Sequence, residues 1–296
     1  MKDTFSSYHP MINFTFFIGA LVCGMILMHP GFLACSAILS GLYYLTVRGL
    51  RGIGFLWKML VLWVLLALIN PIFSTYGEHV LFTYFGGRTY TLEALLYGMA
   101  LAAMVVSVLS WFASYNTVMT SDKFLYLFGR FSPSMTLIFT MVLRLIPNYK
   151  KKIVQMNGAR RGVGLSVDTG TKKEKTEHGM VLLSALTSWA LEGGIITADS
   201  MRSRGYGCGK RTSFSLYRFE GRDKLLVGIM GVLLVILILC GAKGGAAASY
   251  LPQYEAAGLE NPYFCIGLLA YGVFLFIPSA VNILEEIRWH NLKSKI

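Results

Sequence analysis

The sequence predicts an all-α integral membrane protein of about six transmembrane helices, with a long basic helical region between the fourth and fifth. Three observations predict it. Hydrophobic residues make up 55% of 296 positions and charged residues only 14%, with a mean hydropathy of +0.57, which is too apolar for one soluble core. The apolar residues fall in discrete runs close to the ~20 that a helix needs to cross about 30 Å of hydrocarbon. The positive charge, by contrast, is gathered mainly into a single segment.

In chain order the predicted spans are Met11 to Met28, Phe32 to Val47, Leu56 to Phe73, Leu92 to Phe112, Leu225 to Gly241 and Phe264 to Leu284. Each is nearly free of charge and bounded by Pro, Gly or charged residues. The second is short and holds Ser36 and Ser40. The first is expected to be retained, because His29-Pro30-Gly31 turns the chain straight into another apolar run with no small-residue cleavage pattern. Trp57, Trp63, Trp111, Tyr115, Tyr250 and Tyr263 read as interfacial belt residues. Gly19, Gly24, Gly98, Ala102, Ala103, Gly267 and Gly272 are small enough to let helices approach closely.

Cytoplasmic loops keep an excess of Lys and Arg, and the loops here alternate accordingly. Arg48, Arg51 and Lys58 flank the second loop and Arg288, Lys293 and Lys295 close the tail, whereas the loops at 29 to 31, 74 to 91 and 242 to 263 carry only Arg88 and Lys243. A multi-pass protein with both termini cytoplasmic is expected.

The segment from Ala113 to Lys224 holds 18 of the 27 Lys and Arg residues against eight acids, which is +10 of the net +12. The positive-inside rule and attraction to anionic lipid, worth about 1 kcal/mol per basic residue near the surface, account for Lys150, Lys151, Lys152, Lys172, Lys173 and Lys175. Two apolar stretches within it, Ser134 to Pro147 and Met180 to Ala198, are expected to be helices at or below the membrane surface. The first is short, and Glu192-Gly193-Gly194 interrupts the second. The expected organisation is 1-112 as an N-terminal four-helix membrane part, 113-224 as cytoplasmic or interfacial helices, and 225-296 as C-terminal membrane helices and tail.

Several chemistries find no support in the residues. Cys23, Cys35, Cys208, Cys240 and Cys265 form no Cys-x-x-Cys pair, and the five histidines are dispersed, so neither a disulfide framework nor a metal site is expected. Arg204 to Arg211 looks like a phosphate loop, but Arg204 stands at the first Gly and Arg211 follows the Lys, where Ser or Thr would hold magnesium. No cofactor is therefore expected. A nucleic-acid role is excluded for a basic segment tethered between spans whose aromatics do not interleave with its charge.

Two arginine-glycine signatures remain, Ala159-Arg160-Arg161-Gly162 and Ser203-Arg204-Gly205-Tyr206-Gly207. Arg near a helix C-terminus followed by a left-handed Gly is a common helix ending. Here each ends a candidate helix, Asn148 to Arg161 and Ile195 to Arg204, in one cytoplasmic region. Two such ends suit a partner surface with carboxylates, which guanidinium groups engage bidentately.

The order of parts resembles the transmembrane (T) subunit of energy-coupling factor (ECF) transporters, the group that includes the cobalt-transport permease. Asn70-Pro71-Ile72-Phe73-Ser74 is similar to that family's Asn-Pro-hydrophobic-Phe element, and Leu143-Arg144-Leu145-Ile146-Pro147 to its Arg-hydrophobic-Ile-Pro element. Ala198 to Gly207 is similar to the second signature over ten positions. The resemblance covers about residues 10 to 290. It departs at Arg160, where Ala or Ser is usual, at Ser203, where Ala is usual, and at Arg202, where Glu is frequent.

The resemblance implies a subunit of a bacterial or archaeal inner or plasma membrane that does no covalent chemistry. Its cytoplasmic helices would couple two ATP-binding-cassette (ABC) ATPases, identical or different, to a substrate-binding (S) subunit in the membrane that takes up a vitamin or transition-metal ion. By the same resemblance, Arg160, Arg161, Gly162, Asp199, Ser203, Arg204 and Gly205 would form the ATPase-docking site, with Asp199 bracing Arg202 or Ser203 one turn later. ATP hydrolysis belongs to the partner subunits. The alternatives are a membrane-embedded enzyme acting on a lipid phosphate, which would need acidic metal-binding clusters or a nucleophile-base pair, and a self-sufficient secondary transporter, which would need inverted repeats. Apart from Glu93 at the start of the fourth span, the spans lack the acidic residues that mark an ion path.

Overall fold

A computed structural model describes residues 4–73, 79–84, 88–129, 132–168, 170–209, 217, 219–250, 255–256, 258 and 260–293. Ser74, Lys210, Arg211 and Lys295 lie outside them. In chain order the helices are α1 (Pro10–Ile26), α2 (Pro30–Arg48), α3 (Ile53–Phe73), α4 (Leu92–Val118), α5 (Ser121–Gly129), α6 (Pro133–Gly162), α7 (Lys172–Ser203), α8 (Gly221–Ala242) and α9 (Pro262–Lys293). The strands are two short antiparallel pairs, β1 (Val80–Tyr84) with β2 (Arg88–Thr91) and β3 (Ala248–Ser249) with β4 (Glu255–Ala256). The fold is all-α and of membrane type, and its contacts divide it into two compact units: residues 1–124 with 217–296, and residues 125–216.

Among the described residues, five stretches are long and apolar enough to cross a membrane: Pro30–Phe73, Leu92–Val118, Lys172–Ser203, Gly221–Ala242 and Pro262–Trp289. The first contains two helices, because a 3-10 turn at Gly49–Gly52 reverses the chain between α2 and α3 and Tyr44 packs on Phe55 across it at 4.5 Å between centroids. α1, with 17 residues, is shorter than these. α7, expected at the membrane surface, also qualifies by length and composition. Trp57, Leu239 and Leu269 stand mostly exposed on these helices, the arrangement of a surface solvated by lipid tails.

Two His-Pro pairs start the first two helices. Proline at the first helical position gives up an amide that would have no partner there, and the ring nitrogen of the preceding histidine takes the next one. His9 Nδ1 accepts from the Met11 amide at 3.2 Å and His29 Nδ1 from the Gly31 amide at 3.1 Å. The His9 cap therefore needs a neutral ring. Phe219 and Tyr217 lie edge-on to this ring, and its burial lowers the pKa from 6.5 against the opposing pull of Asp223. The unfolded chain then takes up the proton first, so the stability that the neutral ring contributes is complete above about pH 6.5 and is lost as pH falls towards the lower native value. Lowering pH from about 7.5 to about 5.5 is expected to reduce the melting midpoint. His9→Asn, which caps without titrating, is expected to remove that part of the dependence.

The core of the first unit is aromatic. Trp111, fully buried, lies 6.0 Å from Tyr43, 5.6 Å from Phe16 and 6.3 Å from Phe17 between ring centroids, and its indole N–H donates to Ser36 Oγ at 3.1 Å. It is a core residue and not the belt residue expected from its place near the end of a span. Tyr250 is corrected likewise: it is buried, and its hydroxyl donates to Met28 O at 2.6 Å. Trp63 donates to Met99 O at 3.2 Å, while Trp57 and Tyr263 are exposed as expected.

Pro71 shows why the Asn-Pro element sits where it does. It lies inside α3 and is buried there. Lacking an N–H, it leaves the carbonyl of Ala67, four residues earlier, without its helical donor. A Cβ at Gly98 of α4 would stand 2.9 Å from that carbonyl oxygen and 2.8 Å from Asn70 Cβ, so only glycine lets α4 approach the broken rung. At the other end of α4, Lys123 is buried and its ammonium donates to Val118 O and Ser6 Oγ, each at 3.0 Å, and to Ser6 O. A cation at a helix C-terminus is favourable, and this one ties the N-terminal segment to the start of α5.

The loop expected at 74 to 91 contains β1 and β2. Glu93 is buried in the first turn of α4, and both its carboxylate oxygens accept from the His79 amide at 3.3 Å. This acid holds the base of a hairpin.

Candidate functional site

The basic segment is built on two helices that the sequence reading had each divided. Ser134 to Pro147 and Asn148 to Arg161 are one helix, α6, which continues through Pro147. Met180 to Ala198 and Ile195 to Arg204 fall on one helix, α7, which continues through Gly193 and Gly194 up to Ser203. An interior proline forfeits one hydrogen bond and an interior glycine about 1 kcal/mol, and helices of 30 and 32 residues absorb both. At helical rise they are about 45 and 48 Å long. A capping box starts α7: Glu174 N donates to Thr171 Oγ1 and Thr171 N to Glu174 Oε2 at 2.8 Å.

The two helices meet near their midpoints. The Tyr149 and Trp189 rings are edge-to-face at 5.6 Å, and Lys152 Nζ stands 5.2 Å over the indole. The loop after α6 folds back on it, since Asn157 Oδ1 accepts from the Val167 amide and Asn157 Nδ2 donates to Asp168 Oδ2, both at 3.1 Å.

Both signature ends close in the same way. After α6, the Leu165 amide donates to Arg160 O at 3.0 Å and the Gly164 amide to Arg161 O at 3.1 Å, with Gly164 at φ +75°. After α7, the Tyr206 amide donates to Met201 O at 3.0 Å and the Gly205 amide to Arg202 O at 2.9 Å, with Gly205 at φ +82°. These paired bonds around a left-handed glycine are the Schellman arrangement, which satisfies the carbonyls that a helix end leaves open.

The caps correct one expectation. In the first signature Gly162 stays within the helix and Gly164 takes the left-handed position, whereas in the second Gly205, directly after Arg204, takes it. Counted back from the left-handed glycine, Arg161 therefore corresponds to Arg202, and Arg204 corresponds to Val163. Sequence alone had paired Arg161 with Arg204.

Arg160 Nε donates to Leu165 O at 3.1 Å, so one of the five N–H groups of this extra arginine closes its own cap. Arg161, Asp199 and Arg204 are exposed. Among the described residues no carboxylate forms an ion pair with Arg161, Arg202 or Arg204. Ser203 Oγ donates at 2.9 Å to the backbone carbonyl of Asp199, a bond that does not use the Asp199 carboxylate expected to brace it. Exposed Val163 (75%) and Leu165 (47%) flank the first arginine pair and Tyr206 (43%) follows the second. Val163 and Leu165 lie outside both signatures and were missed by sequence reasoning, whereas Tyr206 belongs to the second. Each helix end thus offers free guanidinium groups beside an apolar side chain.

A separate cavity of about 510 Å³ lies in the first unit among α2, α3 and α4, lined by Leu33, Ala37, Leu60, Trp63, Ala103 and Ser110 among others. The Trp63 N–H and the Tyr250 hydroxyl at its wall are already committed to backbone carbonyls. It suits an apolar group. Among the described residues no group of three or more His, Cys, Asp or Glu is placed to hold a metal ion. Comparison of the chain with protein-family models and with curated proteins gives no match.

Proposed function

We propose that this chain is the transmembrane coupling subunit of an ECF-type ABC importer. In this reading α6 and α7 are its coupling helices, and their capped ends dock on a pair of partner ATPases whose ATP-driven closure moves them. The movement is passed to a membrane S subunit that releases a vitamin or a transition-metal ion into the cytoplasm.

The observation that carries the reading is the pair of equivalent helix ends. Each exposes arginine that forms no ion pair among the described residues and has an exposed apolar residue close by in sequence. Guanidinium groups bind carboxylates bidentately, and such pairs gain most where neighbouring apolar contacts exclude water. A cap that gives end carbonyls internal donors also lowers the polar cost of placing a helix end in a partner's groove.

The reading requires both ends on the cytoplasmic side, and Cys208, exposed just after the second signature, reports on this directly. A membrane-impermeant maleimide is expected to label Cys208 in inside-out vesicles and not in intact cells. Mild purification of the chain from its native membrane is expected to recover ABC ATPases and a small hydrophobic subunit. Labelling of Cys208 from outside, or a chain that is active alone, would overturn the assignment.

A further inference from the structure

We infer that the helix bundle of the first unit binds a single internal water molecule in the space left by the missing side chain of Gly24. The inference stands on the packing of α1, α2, α4 and α9 and does not depend on the proposed function.

A methyl group built at Gly24 would have as its nearest neighbours outside its own helix three hydroxyl oxygens: Tyr271 Oη at 3.8 Å, Ser107 Oγ at 3.9 Å and Ser36 Oγ at 3.9 Å. They come from three different helices. Each parent residue is at most 1% exposed. The glycine therefore opens a gap walled by oxygen where a transmembrane bundle would ordinarily present carbon.

The hydrogen-bond inventory of the three groups is incomplete in a way that one water completes. Ser36 Oγ accepts the Trp111 indole N–H at 3.1 Å, which leaves its own proton to donate. Ser107 Oγ donates to Met104 O at 3.0 Å, which leaves its lone pairs to accept. Among the described residues Tyr271 Oη is buried with no partner at strict hydrogen-bond geometry, and Ser36 is the hydroxyl that interacts with it, so a direct Ser36–Tyr271 bond is the arrangement that competes with the water. A water between them accepts from Ser36 and Tyr271 and donates to Ser107. Three bonds is the usual count for a buried water, which settles where a site is both polar and open. Inside a bilayer the alternative is an unsatisfied hydroxyl with no solvent to turn to.

Replacements at Gly24 separate this arrangement from a dry one. At 3.8 to 3.9 Å the added methyl makes ordinary contacts, so in a dry gap Gly24→Ala is tolerated and gains from better helix propensity. If the gap holds water, the methyl expels it and leaves Tyr271 Oη and the Ser36 proton without that partner. Gly24→Ala is therefore expected to lower the melting midpoint in detergent by several degrees. Gly231→Ala, on an open face of α8 with no atom near its Cβ position, is expected to leave it unchanged or raise it. Gly24→Ser carries its own hydroxyl into the space and is expected to recover most of the loss.

Tyr271→Phe is expected to lower the midpoint as well, because it removes a hydroxyl that the water holds. A high-resolution map of the unaltered protein is expected to show a density peak within hydrogen-bond distance of at least two of the three hydroxyls. A raised midpoint for Gly24→Ala, with or without a loss in Tyr271→Phe, would mean a dry gap or a direct Ser36–Tyr271 bond and would overturn the inference. So would an empty gap in a map that resolves other buried waters.

Discussion

If the proposed coupling role holds, replacing both Arg161 and Arg204 with alanine is expected to abolish uptake and to release the partner ATPases while leaving membrane insertion intact. Truncating one partner of a buried, hydrogen-bonded charge pair costs about 2 to 5 kcal/mol, and each 1.4 kcal/mol is a factor of about ten. One lost arginine should thus weaken association by tens- to thousands-fold, and two should leave no complex at working concentrations. The two side chains are exposed and form no ion pair among the described residues, so their removal strands no carboxylate there and the fold should persist. Co-purification of ATPases with the double variant, against normal membrane yield, measures this. Undiminished association would sink the docking role. Because Arg202 stands at the cap position of Arg161, the single variants Arg202→Ala and Arg204→Ala also report which arginine of the second end is engaged.

The largest effect on stability is expected at Trp111. Trp111→Ala removes a fully buried ring that touches Tyr43, Phe16 and Phe17, and large-to-small changes of this kind cost about 3 to 5 kcal/mol, much of it from the cavity left behind. Trp111→Phe keeps most of the packing and deletes the donor to Ser36, so its loss should be nearer the 0.5 to 1.5 kcal/mol net of a single hydrogen bond, about 1. Unfolding in detergent separates the two contributions. Equal losses would assign the role of Trp111 to its N–H and not to its ring.

How far the site could be read beforehand is visible at the two caps. Arg160, Arg161 and Gly162 were legible as a helix ending, but three glycines at 158, 162 and 164 compete for the left-handed position. The winner is the one that lets Leu165 reach Arg160 O, a bond the sequence does not announce. The continuation of α6 through Pro147 and of α7 through Gly193 and Gly194 was hidden for a related reason. Propensity prices each residue separately, while a long helix spreads the cost of a single break over many turns.

The apolar helices themselves were legible in the sequence, although α1 is shorter than the candidate spans and α7, expected at the membrane surface, is long and apolar enough to be one. Bilayer thickness turns apolar run length into a one-dimensional signal, and α1 to α4, α8 and α9 lie within a few residues of the expected runs, apart from longer C-terminal ends on α4 and α9. Which side of each helix faces inward was left to the tertiary structure. Lipid tails are as apolar as the core, so these helices are hydrophobic all round and carry no stripe to mark the buried face. Ser36, Ser107, Trp111 and Tyr271 therefore look unremarkable along the chain. Packing among α2, α4 and α9 alone brings them together, and there the Trp111 N–H finds its acceptor on another helix, Ser36 Oγ.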